Sequence, residues 1–213
     1  MARPRSGERR AEILQVLARM LQEQAGVHIT TAELARTVGV SEAALYRHFP
    51  SKAKMFESLI EFIEESVFTR ITRILAEESL WEARLQQILT LVLGFADKNP
   101  GMARLLQGGV LTGETERLRV RISQFYDRIE TQLRQILREG EAASATSLSR
   151  GPRLDPIGEA AGGPRLAVNE TAQLLLAFLE GRIAQYVRSG FTASPVEGWE
   201  KQWELLRRGV LRA

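Results

Sequence analysis

Ile29-Thr-Thr-Ala-Glu-Leu-Ala-Arg-Thr-Val-Gly-Val-Ser-Glu-Ala-Ala-Leu-Tyr-Arg-His-Phe-Pro-Ser-Lys52 decides the fold. It contains two short helices with legible ends. Thr30 followed three residues later by Glu33 is a capping-box start. Gly39 breaks that helix, Ser41 caps the next, and Pro50 ends it near Phe49. Two capped helices joined through Gly39-Val40 have the helix-turn-helix layout, whose second helix enters the major groove of DNA. Leu34, Ala35, Val38, Val40, Leu45 and Phe49 fall where the pair must pack, and Ala35 is small where the helices approach.

The residues left over carry chemistry suited to a polyanion. Thr30 and Ser41 each offer a hydroxyl at a helix N-terminus, a good seat for a phosphate oxygen. Glu42, Ala43 and Ala44 form the first turn of the reading helix. Alanine methyls can meet a thymine methyl, and a carboxylate can accept from cytosine N4. Glu42 has a second reading, as a partner of the helix dipole. Tyr46, Arg47 and His48 end the helix with groups that reach the DNA backbone, and Lys52 adds a cation in the first turn of the next helix.

Working outward, almost every segment has helical period and no stretch alternates as a strand does. Ile13, Leu14, Leu17, Met20 and Leu21 form an apolar stripe before a stop at Gly26. Ser51 caps a long helix with Met55, Phe56, Leu59, Ile60, Ile63, Val67, Ile71 and Ile74 inward. Further helices are predicted at Trp81–Lys98, ended by Asn99-Pro100-Gly101, at Met102–Leu111, and at Glu114–Glu139. The last has three irregular heptads that could pass for a coiled coil but read as an ordinary packed helix. Residues 140–165, rich in Gly, Ala, Ser, Pro and Arg, read as a mobile loop. Helices at Asn169–Ser189 and Pro195–Leu211 complete an all-α fold of about nine helices. The division expected is a three-helix DNA-binding domain at 7–55 and a helical regulatory and dimerisation domain at 56–213.

The chain has 213 residues, 44% of them hydrophobic and none of them cysteine. It can bury a core without disulfides or thiolate metal sites. Residues 1–55 hold nine Lys/Arg against five Asp/Glu, whereas the rest is nearly balanced, within a net charge of +3. The basic excess thus coincides with the helix-turn-helix, as a DNA partner requires, and Arg3, Arg5, Arg9 and Arg10 are candidates for further phosphate contacts. No secretory pattern or membrane-length apolar run is present, so a cytoplasmic location is expected. With two histidines, no cysteine and no glycine-rich phosphate loop, enzymatic chemistry is not expected, and no cofactor or metal is implied. One reading helix covers few base pairs, so a homodimer on near-palindromic double-stranded DNA is expected. The last two helices, with Trp199 and Trp203, are the expected interface.

Thr30, Ala35, Gly39-Val40-Ser41, Tyr46, His48-Phe49 and Lys52 resemble, in type and spacing, the N-terminal signature of the TetR-like regulators. That resemblance implies phosphate contacts from Thr30, Ser41, Tyr46, His48 and Lys52, and dimerisation through the last two helices. A second resemblance covers about residues 8–139 and 169–206. Ser41–Lys52, Met55–Glu64, Leu91–Phe95, Asn99–Gly101, Arg128–Glu139, Phe178–Gly181 and Val187–Ser189 look like the nucleoid occlusion factors within that family. It implies a nucleoid-associated dimer that binds chromosomal sites, engages the division protein FtsZ and blocks division-ring assembly there. Positions carried over for the FtsZ groove, between the fourth and fifth helices, are Phe62, Arg70, Leu91, Gly94 and Asn99. Lys98 stands where arginine is usual, keeping the charge without the bidentate fork. On residue chemistry alone, Phe62 and Leu91 read equally as core, and Gly94 as the site of close helix packing. A ligand-responsive repressor of the TetR type is the alternative function.

Overall fold

The computed structural model describes residues 6–23, 29–109, 116–148 and 167–211. Among them are nine α-helices and no strand: α1 (Ser6–Glu23), α2 (Thr31–Val38), α3 (Glu42–His48), α4 (Lys52–Glu77), α5 (Trp81–Lys98), α6 (Pro100–Leu106), α7 (Glu116–Leu148), α8 (Val168–Arg188) and α9 (Trp199–Gly209). The all-α expectation is met. The predicted stop at Gly26 lies outside the described residues, as do Arg3 and Arg5.

Helices α1, α2 and α3 form the N-terminal head. Ile13, Val16, Leu17, Met20 and Leu21 of α1, Leu34, Ala35 and Val38 of α2, and Leu45 with Phe49 are all buried. Helix α4 begins at the head and, at 1.5 Å per residue, runs on for about 39 Å into the C-terminal body. The centre of that body is α5. Its Leu85, Ile88, Leu89, Val92, Leu93 and Ala96 are buried, because α4, α7, α8 and α9 all pack on it. Charge reinforces the α4–α7 seam: Arg121 reaches Glu64 at 2.7 Å and Glu61 at 3.1 Å. Lys54 bonds Glu57 at 2.5 Å. That hydrogen bond, aided by the Arg117 guanidinium, holds the buried Glu57 carboxyl below its ordinary pKa.

Several predicted boundaries move, each for a physical reason. Helix α6 starts at Pro100, with Asn99 ending α5 and opening α6. It ends at Leu106, where Gly108 turns left-handed at φ +74°. Helix α7 does not stop at Glu139 but runs to Leu148, so the first nine residues of the expected 140–165 loop are helical. Ala142, Ala143, Ala145 and Leu148 are good helix formers. Gly140, at the start of the expected loop, lies under an aromatic ring: a β-carbon there would come 2.5 Å from the Trp81 indole. Residues 149–166 lie outside the described residues.

The last helix starts at Trp199 rather than Pro195. The Arg182 guanidinium bonds the carbonyls of Ser194, Pro195 and Glu197, and Gly198 at φ +68° leads the chain into α9. Trp199 and Trp203 are buried within the protomer, not offered to a partner as the sequence suggested. Trp199 stacks near Phe178 and Trp203, and its indole N–H donates to Thr90 at 2.6 Å.

Two glycines make opposite predictions. A β-carbon at Gly101 would overlap the Ala18 carbonyl and sit 2.8 Å from its carbon, whereas one at Gly94 would meet nothing within 4 Å. Gly101→Ala should therefore cost about 1–3 kcal/mol by overpacking, and Gly94→Ala should be stabilising by up to about 1 kcal/mol. Urea unfolding followed by circular dichroism checks both.

Candidate nucleic-acid interface

The head is built from caps. Thr30 Oγ1 accepts from the Glu33 N–H at 3.2 Å and Ser41 Oγ from the Ala44 N–H at 3.2 Å. Ser51 Oγ accepts from the Lys54 N–H at 3.2 Å. Each oxygen satisfies an amide the helix would otherwise leave unpaired. The turn between α2 and α3 hinges on Gly39 at φ +77°, a conformation that a side chain would strain. The Gly39 and Val40 N–H groups close α2 onto the Arg36 and Ala35 carbonyls.

Thr31, which the sequence reading missed, ties the two helices together. Its hydroxyl donates to the Glu42 carboxylate at 3.0 Å and accepts from the Tyr46 hydroxyl at 3.3 Å. The signal was a second threonine beside the cap, which the first one masked. Of the predicted DNA-contacting residues, Thr30, Ser41, Glu42, Ala43, Tyr46 and Arg47 are exposed, and Ala44, His48 and Lys52 are half-buried. Glu42 faces Thr31 in this structure, which gives it an inter-helix task beside any readout. Lys52 lies over the Phe56 ring. Arg10 is likewise engaged: its guanidinium stacks on Phe49 at 4.5 Å and donates to Ser58 at 2.9 Å. Arg9 pairs with Glu12. Arg10 therefore braces the head before any phosphate is considered, and Arg9 is paired within α1.

A second surface lies where α4 packs on α5. Phe62 is 48% exposed, a large apolar side chain outside the core. Leu91, Gly94 and Asn99 are half-buried, and Arg70 and Lys98 are exposed. The reading of Phe62 as core is thus overturned. So is close helix packing over Gly94, since the space above it is open. Asn99 Nδ2 donates to the Phe95 carbonyl at 2.8 Å, fixing the end of α5.

A third surface runs along α8. Leu174, Ala177 and Gly181 are exposed in near-helical register, with Ala184 half-buried beyond them, and a β-carbon at Gly181 would meet nothing within 4 Å. The groove beside it, 530 Å³, is lined by Leu106, Ile122, Tyr126 and Glu180. Burial and the Asp127 and Glu130 carboxylates push the Glu180 carboxyl up from its ordinary pKa. On α9, Leu205 is 71% exposed among charged neighbours. No described helix is long and apolar enough to cross a membrane.

Comparison with known proteins agrees with this anatomy. Residues 14–59 match the model of bacterial regulatory proteins of the tetR family. Residues 80–211 match the SlmA-like model of the tetracyclin repressor-like C-terminal domain. The nucleoid occlusion factor SlmA of Marinomonas sp. (strain MWYL1) is 55% identical over 207 residues, 97% of each chain. That of Shewanella pealeana is 52% identical over 205 residues, 96% of each chain. Among solved structures, FadR from Bacillus halodurans superposes with a TM-score of 0.75 at 15% identity, over 99% of this chain and 100% of the other. PfmR from Thermus thermophilus gives 0.71 at 21% identity, over 96% and 98%. At such identities these two speak for the fold alone.

The caps and cations of the head make a direct prediction. Thr30→Ala and Lys52→Ala should weaken binding to every duplex alike, and Lys52→Ala should lower the salt-dependence slope by about 1. Fluorescence anisotropy across a salt series measures both.

Proposed function

The chain belongs to the nucleoid occlusion factor SlmA family of TetR-type regulators, and from that premise we propose that it is a DNA-bound division inhibitor. Two copies place their α3 helices in successive major grooves of a near-palindromic site, about one turn apart. Residues 7–55 read the DNA, and residues 56–213 dimerise and engage FtsZ. The working location is the nucleoid, within the cytoplasm.

The observation that carries the FtsZ reading is the α4–α5 surface. A half-exposed Phe62 and the open space over Gly94 suit a peptide with an apolar anchor. Among the described residues no ion pair engages Arg70 or Lys98, so both charges are available to an acidic partner segment. A ligand-responsive repressor has less support. The groove beside α8 is lined by the exposed Arg119, Ser123, Ala177 and Gly181, and so opens to solvent rather than enclosing a small molecule.

Dimerisation is assigned to α8 and α9. The small residues Ala177, Gly181 and Ala184 let a partner helix approach closely, and Leu174 and Leu205 supply exposed apolar area. Trp199 and Trp203 contribute indirectly, by holding α9 on α5.

Full-length protein immobilised on a surface should retain FtsZ, and more of it when a near-palindromic operator duplex is bound. Phe62→Ala should cut that retention about tenfold or more, as loss of a buried anchor does, with duplex affinity unchanged. No retention in either condition would sink the proposal. Gly181→Arg should convert the dimer to monomer in multi-angle light scattering and lower operator affinity steeply. A dimer that survives would move the interface elsewhere.

A further inference from the structure

We propose that Arg104 is a positioning residue that couples the DNA-reading head to the Asp97–Asn99 end of α5, where the partner surface ends. This rests on the proposed function only for what that end of α5 binds.

Arg104 is a buried cation, 8% exposed, in a short helix of the body. Its guanidinium donates to the carbonyls of Leu21 at 2.5 Å and Gln22 at 3.0 Å. These belong to the last turn of α1, the negative end of that helix's dipole. Burial pushes the guanidinium's pKa down, but arginine keeps its charge in proteins. One turn earlier, Gly101 lets the α6 backbone lie against the Ala18 carbonyl of α1. At α6 the head and body therefore meet through a glycine contact and two hydrogen bonds from one guanidinium nitrogen.

The same guanidinium lies 4.6 Å from the centre of the Phe191 ring. Phe191 is held at φ +68°, the one non-glycine residue with positive φ among those described. A phenylalanine there costs backbone strain, and its ring is what the site gains. That ring meets Tyr186 edge-on at 5.1 Å. The Tyr186 hydroxyl donates to the Asp97 carbonyl at 3.0 Å, and Ser194 Oγ donates to the Asp97 carboxylate at 2.7 Å. Lys98 and Asn99 follow directly. One unbroken chain of packed and hydrogen-bonded groups thus runs from the α1 carbonyls through Arg104, Phe191 and Tyr186 to the end of α5. Any tilt of α1 on docking in the groove pulls on a guanidinium whose face is tied, through Phe191 and Tyr186, to the α5 terminus.

Contact alone does not demonstrate coupling, so the test reads it directly and without FtsZ. Amide hydrogen exchange of the full-length dimer is followed with and without operator duplex, for wild type, Arg104→Lys and Phe191→Gly. Lysine keeps the charge but replaces the flat guanidinium that lies over Phe191 with a compact ammonium. Glycine fits the left-handed backbone at 191 and removes only the ring. In wild type, duplex should slow exchange across residues 95–106. Phe191→Gly should bind duplex with near wild-type affinity, and both variants, compared at saturating duplex, should lose that slowing. A purely structural role would lower the melting temperature and leave the DNA response intact, which would overturn the proposal. So would an absence of response in wild type. If Arg104→Lys does not fold, Phe191→Gly decides the matter alone. Should FtsZ fail to bind wild type while the exchange pattern holds, the proposed function falls and the coupling stands.

Discussion

The close seam between α1 and α6 is the constraint on which the rest of the molecule depends. A helix-turn-helix reads DNA usefully only if its orientation relative to the second subunit is fixed, and α1 packs on α6 at the seam with the body. Gly101 removes the side chain that would hold the two helices apart, and the Ala18 carbonyl occupies the space. Arg104 then caps the carbonyl end of α1 with a charge that no water reaches freely. A buried cation is expensive unless it is paired or hydrogen-bonded, and one of its nitrogens serves two carbonyls at the joint between the two halves.

Within the head, rigidity comes from a succession of small polar bonds rather than from bulk. Helices of seven and eight residues are far too short to persist alone in water. They persist because each N-terminus is capped, because Gly39 closes the turn, and because Leu34, Leu45 and Phe49 share one core with α1. The Glu42–Thr31–Tyr46 bridge adds a polar strut on the exposed side. The residues that would meet phosphates are thus also the residues that hold the reading helix in place.

The body follows a different logic. Helix α5 is apolar over most of its circumference because four helices surround it, and its ends remain as the places where function can be written. At one end Trp81 receives Gly140. At the other, Asp97 and Asn99 are held by α8, the following turn and α5 itself. The side of α5 that α4 leaves uncovered carries Gly94, which is open where the sequence suggested tight packing.

Sequence alone determined the local elements whose causes are local. Thr30, Gly39, Ser41, Pro50 and Ser51 fixed the helix-turn-helix because caps and turns act through neighbours in the chain. The apolar periods of α4 and α5 fixed those helices in the same way. The resemblance carried by Ser41–Lys52 and the later stretches supplied the family. Tertiary structure decided whatever depends on residues far apart in the chain. Gly140 opens the expected loop but is a helix contact, because its partner Trp81 lies nearly sixty positions away. Trp199 and Trp203 read as a partner surface but face inward, because Thr90 and Phe178 receive Trp199, and Trp203 packs on Trp199. Thr31 offered only a second threonine beside the cap, and Arg104 carried no signal, since a hydrogen bond to a distant carbonyl leaves no mark on the period or composition of the segment that makes it.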